Sequence, residues 1–195
     1  MIVYKATREN MTCTSGKGIF HYRLGVPATS DGSKCGDTGL HACEYVIDCT
    51  TYYGLNGSNR FFKANAEGDI AEDGENTRIA CTKLTLTQEL TNRDIAREAM
   101  LYMARHLKRD GWRRKRHMID IDLVAAEMSV PDGIAIARGE EPQVRGCKGS
   151  HLGLLMETDG QIKAAKLITV DGETIQPGIW YTVGMLEEME RRGQA

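Results

Sequence analysis

From Met1 to about Leu86, apolar and β-branched residues come in short runs separated by Gly-, Ser- and Asp-rich stretches. "IVYKAT", "GIFHYRLG" (after a Ser-Gly-Lys-Gly turn), "NRFFKANAEG" and "TRIACTKLTL" have the composition of strands. "HACEYVIDCTTYYG" predicts a helix of about three turns ending at Gly54, because glycine commonly follows a helix. Thr91 is a good N-cap, and Ile95, Ala99, Tyr102, Met103 and His106 recur on one face, so a second helix is expected to run until Gly111. A third is expected from about Ile119 to Met128, stopping before Pro131. Asp159-Gly160 and Asp171-Gly172, each between strand-like residues, signal hairpins. The closing segment "GMLEEMERRGQA" predicts a short charged helix.

These elements predict an α+β chain in three parts. Residues 1–90 form a mixed α/β domain, 91–130 a helical pair with its connecting segment, and 131–195 an antiparallel meander with a short terminal helix.

Composition adds that 195 residues, 41% hydrophobic and 27% charged, suffice for an ordinary core without staples. No run of some 18 apolar residues suggests a membrane span, and "MIVYKATREN" lacks the sections of a signal peptide. The expected location is the cytoplasm of a bacterial host cell, where thiols stay reduced, so the six cysteines are expected to be free. The net charge of −2 excludes a generally basic nucleic-acid coat. Charge is nevertheless concentrated: "RHLKRDGWRRKRH", Arg105 to His117, holds seven Lys or Arg against Asp110 alone.

The densest candidate chemistry lies in "KCGDTGLHACEYVIDC". Cys35, His41, Cys43 and Cys49 are zinc-type ligands, but they lack paired C-x-x-C spacing, and Cys43 and Cys49 fall about 120° apart on a helix. No metal and no cofactor is expected. Cys43, at a helix start two residues from His41, has the environment of an activated thiol, yet no orienting third residue is identifiable. His41, after a Gly-rich approach, suits either an anionic ligand or local capping of the turn. Lys5, His41 and Cys43 are thus the candidate ligand-binding residues. In the basic cluster, Trp112, Arg113, Arg114 and Arg116 are the candidate partner-binding residues, facing a nucleic acid or an acidic host protein, with a solvated loop as the plain alternative.

"YKAT", "GLHAC" and "RIACTKLTL", with "GIAIARGEEPQVRGCKGSHLGLL" and "KLITVDGETIQPGIWYTV", resemble an uncharacterised family of phage and prophage proteins. Many of its members carry small-residue repeats that look like a β-solenoid, reduced here to about one coil. The order of "YKAT", Gly-X-His, "TTYY" and "RFFKANAEG" is also similar to the first half of the ADP-ribosyltransferase fold. That likeness implies Lys5 and His41 at the two positions that grip NAD, both departures from the usual residue types, and it leaves the catalytic glutamate without a match.

The resemblances imply a phage- or prophage-encoded binding protein that interferes with a host defence component by stoichiometric binding. An NAD-using ADP-ribosyltransferase and a protein that sequesters an anionic nucleotide beside His41 are the alternatives.

Overall fold

The computed structural model describes residues 1–14, 19–74, 76–108 and 111–193. The expected Ser-Gly-Lys-Gly turn, together with Arg109 and Asp110 of the basic cluster, lies outside the described residues. The chain divides into two compact units, Met1–Thr91 and Asn92–Ala195.

In the first unit, β1 (Ile2–Arg8), β4 (Pro27–Thr29), β5 (Leu40–Cys43), β6 (Asn59–Glu72) and β7 (Arg78–Leu90) form one sheet, and β2 (Thr12–Cys13) pairs with β3 (Phe20–His21) beside it. The sheet order is β4-β7-β5-β1-β6, and β6 also pairs with β7, so β7, β5, β1 and β6 close on themselves. Closure removes free edges from these four strands. The β6–β7 hairpin bends where its register shifts between Glu67 and Ile70. Gly68 sits there with φ +77°, and a Cβ on it would lie 2.1 Å from the Thr82 Oγ1. Only glycine allows that approach. Val3, Phe62, Ala64, Ile79, Leu84 and Leu86 fill the interior.

Between β5 and β6 a 3-10 turn, Val46–Thr51, replaces the expected three-turn helix. Asp48 explains its attachment. It is fully buried and accepts from the Thr77 backbone N–H at 3.0 Å and the Thr77 hydroxyl at 2.7 Å. Thr77 Oγ1 in turn accepts from the Tyr45 N–H at 2.9 Å.

The second unit contains α1 (Asn92–Arg105), β8 (Arg114–Arg116), β9 (Ile119–Met128), β10 (Ile134–Gly146), β11 (His151–Thr158), β12 (Gln161–Thr169), β13 (Tyr181–Thr182) and α2 (Val183–Arg191). The expected α+β architecture with a central helical pair is overturned, since the chain is 49% strand and 16% helical. Residues 119–128 form strand β9, not a helix. "IDID" supplies the period-two signal, with Ile119 and Ile121 buried. Pairing with β10 overrides the helix propensity of "VAAEM".

The expected antiparallel meander is also corrected. β9, β10 and β11 are parallel neighbours; the β11–β12 hairpin, turning at Asp159-Gly160, and the short β10–β13 pairing match the antiparallel pattern. Asp171-Gly172 is not a hairpin loop: the Asp171 Oδ1 accepts from the Glu173 and Ile175 N–H groups, closing a local turn.

Parallel neighbours this close in sequence impose a shape. Ten residues of straight strand span roughly 33 Å, whereas the link at residues 129–133 reaches about 20 Å at most. The strands therefore bend and the chain coils. The bend falls at Val124, whose φ is +61°, opposite a register shift between Arg138 and Gln143. Each turn stacks on the last as in a β-solenoid, with Ala126, Met128, Ala135, Ala137, Val144, Leu152 and Leu154 inside.

Helix α1 lies on the outer face. Gly153 makes its approach possible, since a Cβ there would lie 2.7 Å from the Met100 Sδ. Arg138, 2% exposed, ends the helix: Nη1 and Nη2 donate to the carbonyls of Met103 (3.3 Å) and Leu107 (3.0 Å), and Nε to Glu157 (2.6 Å). It thus satisfies one carbonyl of the last helical turn and one just beyond the end of the helix.

Replacing Arg138 by Met should strand those carbonyls and Glu157, lowering stability by about 3 kcal/mol, the order expected when a buried ion pair loses one member. Arg116→Ala on the exposed edge should change it by less than about 0.5 kcal/mol. Urea unfolding of the two variants checks both values; equal midpoints would remove Arg138 from its central role.

Candidate functional site

Strand alternation decides which side chains meet. Tyr4 on β1 is the register partner of Cys43 on β5. The even residues Tyr4, Ala6 and Arg8 therefore share a face with His41 and Cys43, while Val3, Leu40 and Ala42 face the core. The first face opens on a cavity of about 620 Å³. Its far wall comes from the chain just after the 3-10 turn, Tyr52, Tyr53 and Gly54, with Asn59 from β6 and Arg78 from β7.

Of the three expected ligand residues, all line this cavity, but in changed roles. Lys5 has the core parity and is 4% exposed. Its Nζ donates to the His41 carbonyl oxygen at 2.6 Å and lies 5.2 Å from the centre of the Tyr22 ring. Lys5 and His41 also line a second, smaller cavity of about 150 Å³ on the other side, so they form a partition touching both.

His41 lies within β5, not at a strand-to-helix turn. Its Nε2 accepts from the Gly36 N–H at 2.9 Å, which identifies the neutral ring. Burial, and then the Lys5 and Arg78 charges, push its pKa below the ordinary value of 6.5. His41 is accordingly a hydrogen-bonding wall residue and not a further cation.

Cys43 ends β5, and the 3-10 turn begins only at Val46. The expected helix N-terminus at Cys43 is absent, and with it the dipole that was to activate the thiol. Nor do the four candidate zinc ligands converge: Cys35 Sγ donates to the Ala71 carbonyl at 3.2 Å, and Cys49 Sγ to the Tyr4 carbonyl at 3.3 Å. Among the described residues no group of three or more His, Cys, Asp or Glu is arranged to hold a metal.

Sequence reasoning missed the cavity's main charges. Arg8 is exposed at the end of β1, with Nη2 3.4 Å from the Thr14 hydroxyl. It has the same parity as Tyr4, which was a usable signal. Arg78 is ion-paired with Asp73 and its guanidinium lies 5.7 Å from the Tyr52 ring centre. Nothing in its local sequence distinguishes it. Lys5, Arg8 and Arg78 make three cationic residues on the lining, and among the described residues no Asp or Glu lines it.

The basic cluster is folded differently from the expected exposed turn. Trp112 is 6% exposed and packs under Arg138, whose guanidinium lies 5.3 Å from its ring, so its face is not free to stack on a base. Arg114 and Arg116 belong to edge strand β8, which pairs with β9. There the aspartates of "IDID" answer the charge: Lys115 reaches Asp120 at 3.5 Å and Arg113 reaches Asp122 at 3.9 Å. A short, charged edge strand blocks further strand addition.

The family model described as Domain of unknown function (DUF7666) matches residues 1–98, and the chain belongs to that family. No curated protein and no solved structure matches it. No helix is long and apolar enough to cross a membrane among the described residues.

A pH dependence follows from His41. Its folded pKa is below its unfolded value of 6.5, so the unfolded chain binds the proton more readily. The stability held by the neutral ring is complete well above pH 6.5 and falls as pH drops through that value toward the folded pKa. NMR titration of the imidazole should give a midpoint below 6.5, and His41→Gln should flatten the loss of stability between about pH 7 and 5.

Proposed function

We propose that the Met1–Thr91 unit binds an anionic small molecule of the nucleotide class in the β1–β5 cavity, and that the protein acts by holding this ligand rather than transforming it. The carrying observation is the lining of that cavity, which holds Lys5, Arg8 and Arg78 and, among the described residues, no carboxylate. A volume of about 620 Å³ is within the range of small-molecule sites and accommodates a nucleotide. Arg8 offers its guanidinium fork to phosphate oxygens. Tyr52, 45% exposed and backed on one side by Arg78, offers a ring on which a base can stack.

That no described lining residue is a carboxylate favours holding over ADP-ribosyl transfer, which needs a glutamate beside the reacting ribose. Stoichiometric sequestration also accords with the resemblance to phage-associated proteins, for which a host's nucleotide signal is a suitable target. The buried Trp112 and the Asp-paired β8 supply less support for a docking surface in the basic cluster.

Calorimetry with AMP, ADP and ADP-ribose should show binding, and uncharged adenosine should bind much more weakly. Arg8→Ala removes charge-assisted hydrogen bonds of about 1.5–3 kcal/mol, so affinity for ADP should drop at least about tenfold with little change in thermal stability. Equal affinity for adenosine and ADP, or no heat with any of them, would sink the proposal.

A further inference from the structure

Cys43 and Cys49 both line the cavity and are both almost fully buried in protein otherwise. They meet at one residue of β1. Cys43 is the register partner of Tyr4, and the Cys49 Sγ donates to the carbonyl oxygen of that same Tyr4 at 3.3 Å. The neighbouring Cys43 thiol, and then burial, push the Cys49 pKa well above its ordinary value, so Cys49 stays a thiol at neutral pH. All six cysteines are free in this structure. The other three cysteines of this unit have surroundings of their own: Cys13 and Cys81 belong to the core cluster, and Cys35 bonds to Ala71; Cys147 belongs to the second unit.

We infer that Cys43 and Cys49 are a redox pair that closes to a disulfide in the cavity wall when a peroxide enters, and that closure weakens the anionic ligand's hold. The second half rests on the binding reading above; the first does not.

The chemistry balances with hydrogen peroxide as the oxidant. The Cys43 sulfur, as its thiolate, attacks one peroxide oxygen and breaks the O–O bond, giving a sulfenic acid and, after protonation, one water. The Cys49 sulfur then attacks the Cys43 sulfur, the S–O bond breaks, and the oxygen leaves as a second water with the Cys49 proton. Two thiols and one peroxide become one disulfide and two waters.

The structural consequence follows from bond length. The two sulfurs, gathered at the same β1 residue Tyr4, must approach to about 2.05 Å to be bonded. Cys49 sits in the 3-10 turn Val46–Thr51, and Tyr52 and Tyr53 follow directly. Drawing Cys49 toward β5 therefore moves the wall that carries both tyrosines. Oxidation also removes the S–H that Cys49 donates to the Tyr4 carbonyl.

The test begins with mass spectrometry of the intact protein after treatment with hydrogen peroxide. A glutamyl endopeptidase cuts after Glu44, between the two cysteines, so the disulfide should join two fragments that separate on reduction. ADP affinity measured by calorimetry should be several-fold weaker for the oxidised protein and recover with dithiothreitol. Cys35→Ser should oxidise identically, whereas Cys49→Ser should stop at an oxygenated Cys43. If Cys49→Ser does not fold, thiol counting on the peroxide-treated wild-type chain decides: six free thiols, or a bridge that includes Cys35, overturns the pair. A Cys43–Cys49 bridge that leaves ADP affinity unchanged overturns the control of binding. A bridge in a protein that binds no ADP even when reduced overturns the nucleotide reading and leaves the redox pair standing.

Discussion

The cavity in the first unit depends on one buried carboxylate. Asp48 has no solvent and stands in a 3-10 turn too short to stabilise itself, so its charge must be met by fixed donors. Thr77 provides both an N–H and a hydroxyl, and passes the connection on to the Tyr45 N–H. The knot ties the turn to the start of β7, one residue before Arg78. Everything on the far wall inherits its position from this attachment: Cys49 within the turn, Tyr52 and Tyr53 after it, and Arg78 beside the anchor. Removing the carboxylate would leave the Thr77 N–H buried with no acceptor, a cost larger than the net worth of the hydrogen bond itself.

In the second unit a different constraint dominates, the shortness of the links between parallel strands. Residues 129–133 and 147–150 are far too few for the usual crossover, so coiling is the solution that keeps each ladder paired. Coiling buries β10 on two sides, which accounts for the unbroken burial of Ile134–Arg138. Arg138 is the exception in that run. It is tolerated because its donors are spent on the Met103 carbonyl of α1, the Leu107 carbonyl just past it and Glu157, and its flat face on Trp112.

Legibility followed the range of the interactions involved. The strands around "YKAT" and "TRIACTKLTL" and the helix beginning near Thr91 were readable because their signals are local: β-branched composition, a 3.6-residue period, a capping residue. Residues 119–128 misled because alanine and glutamate dominate their second half, and only pairing with β10 makes them extended. The coil itself has no local signature, since it arises from the ratio of strand length to link length once the strands are known to be parallel. In the candidate site, Lys5, His41 and Cys43 were found by motif, but their roles depend on strand parity and on partners distant in sequence. Arg78 was invisible for the same reason: its importance comes from the register that sets it opposite Cys43.

A net charge of −2 says little about the preference of such a cavity, because the field at a concave site is set by the nearest groups and not by the sum over the surface. Here the nearest cations are held from behind. Lys5 is fixed by the His41 carbonyl, and Arg78 by Asp73 and the Tyr52 ring, while His41 is kept neutral by burial and by those same charges. A ligand therefore meets side chains already ordered and loses less of its binding energy to arranging them. The arrangement also explains why a neutral histidine suits this wall better than a charged one. A third fixed cation between Lys5 and Arg78 would raise the repulsion within the empty site, whereas a neutral ring keeps the unit stable without ligand and leaves Arg8, at the open end, as the least constrained of the three charges.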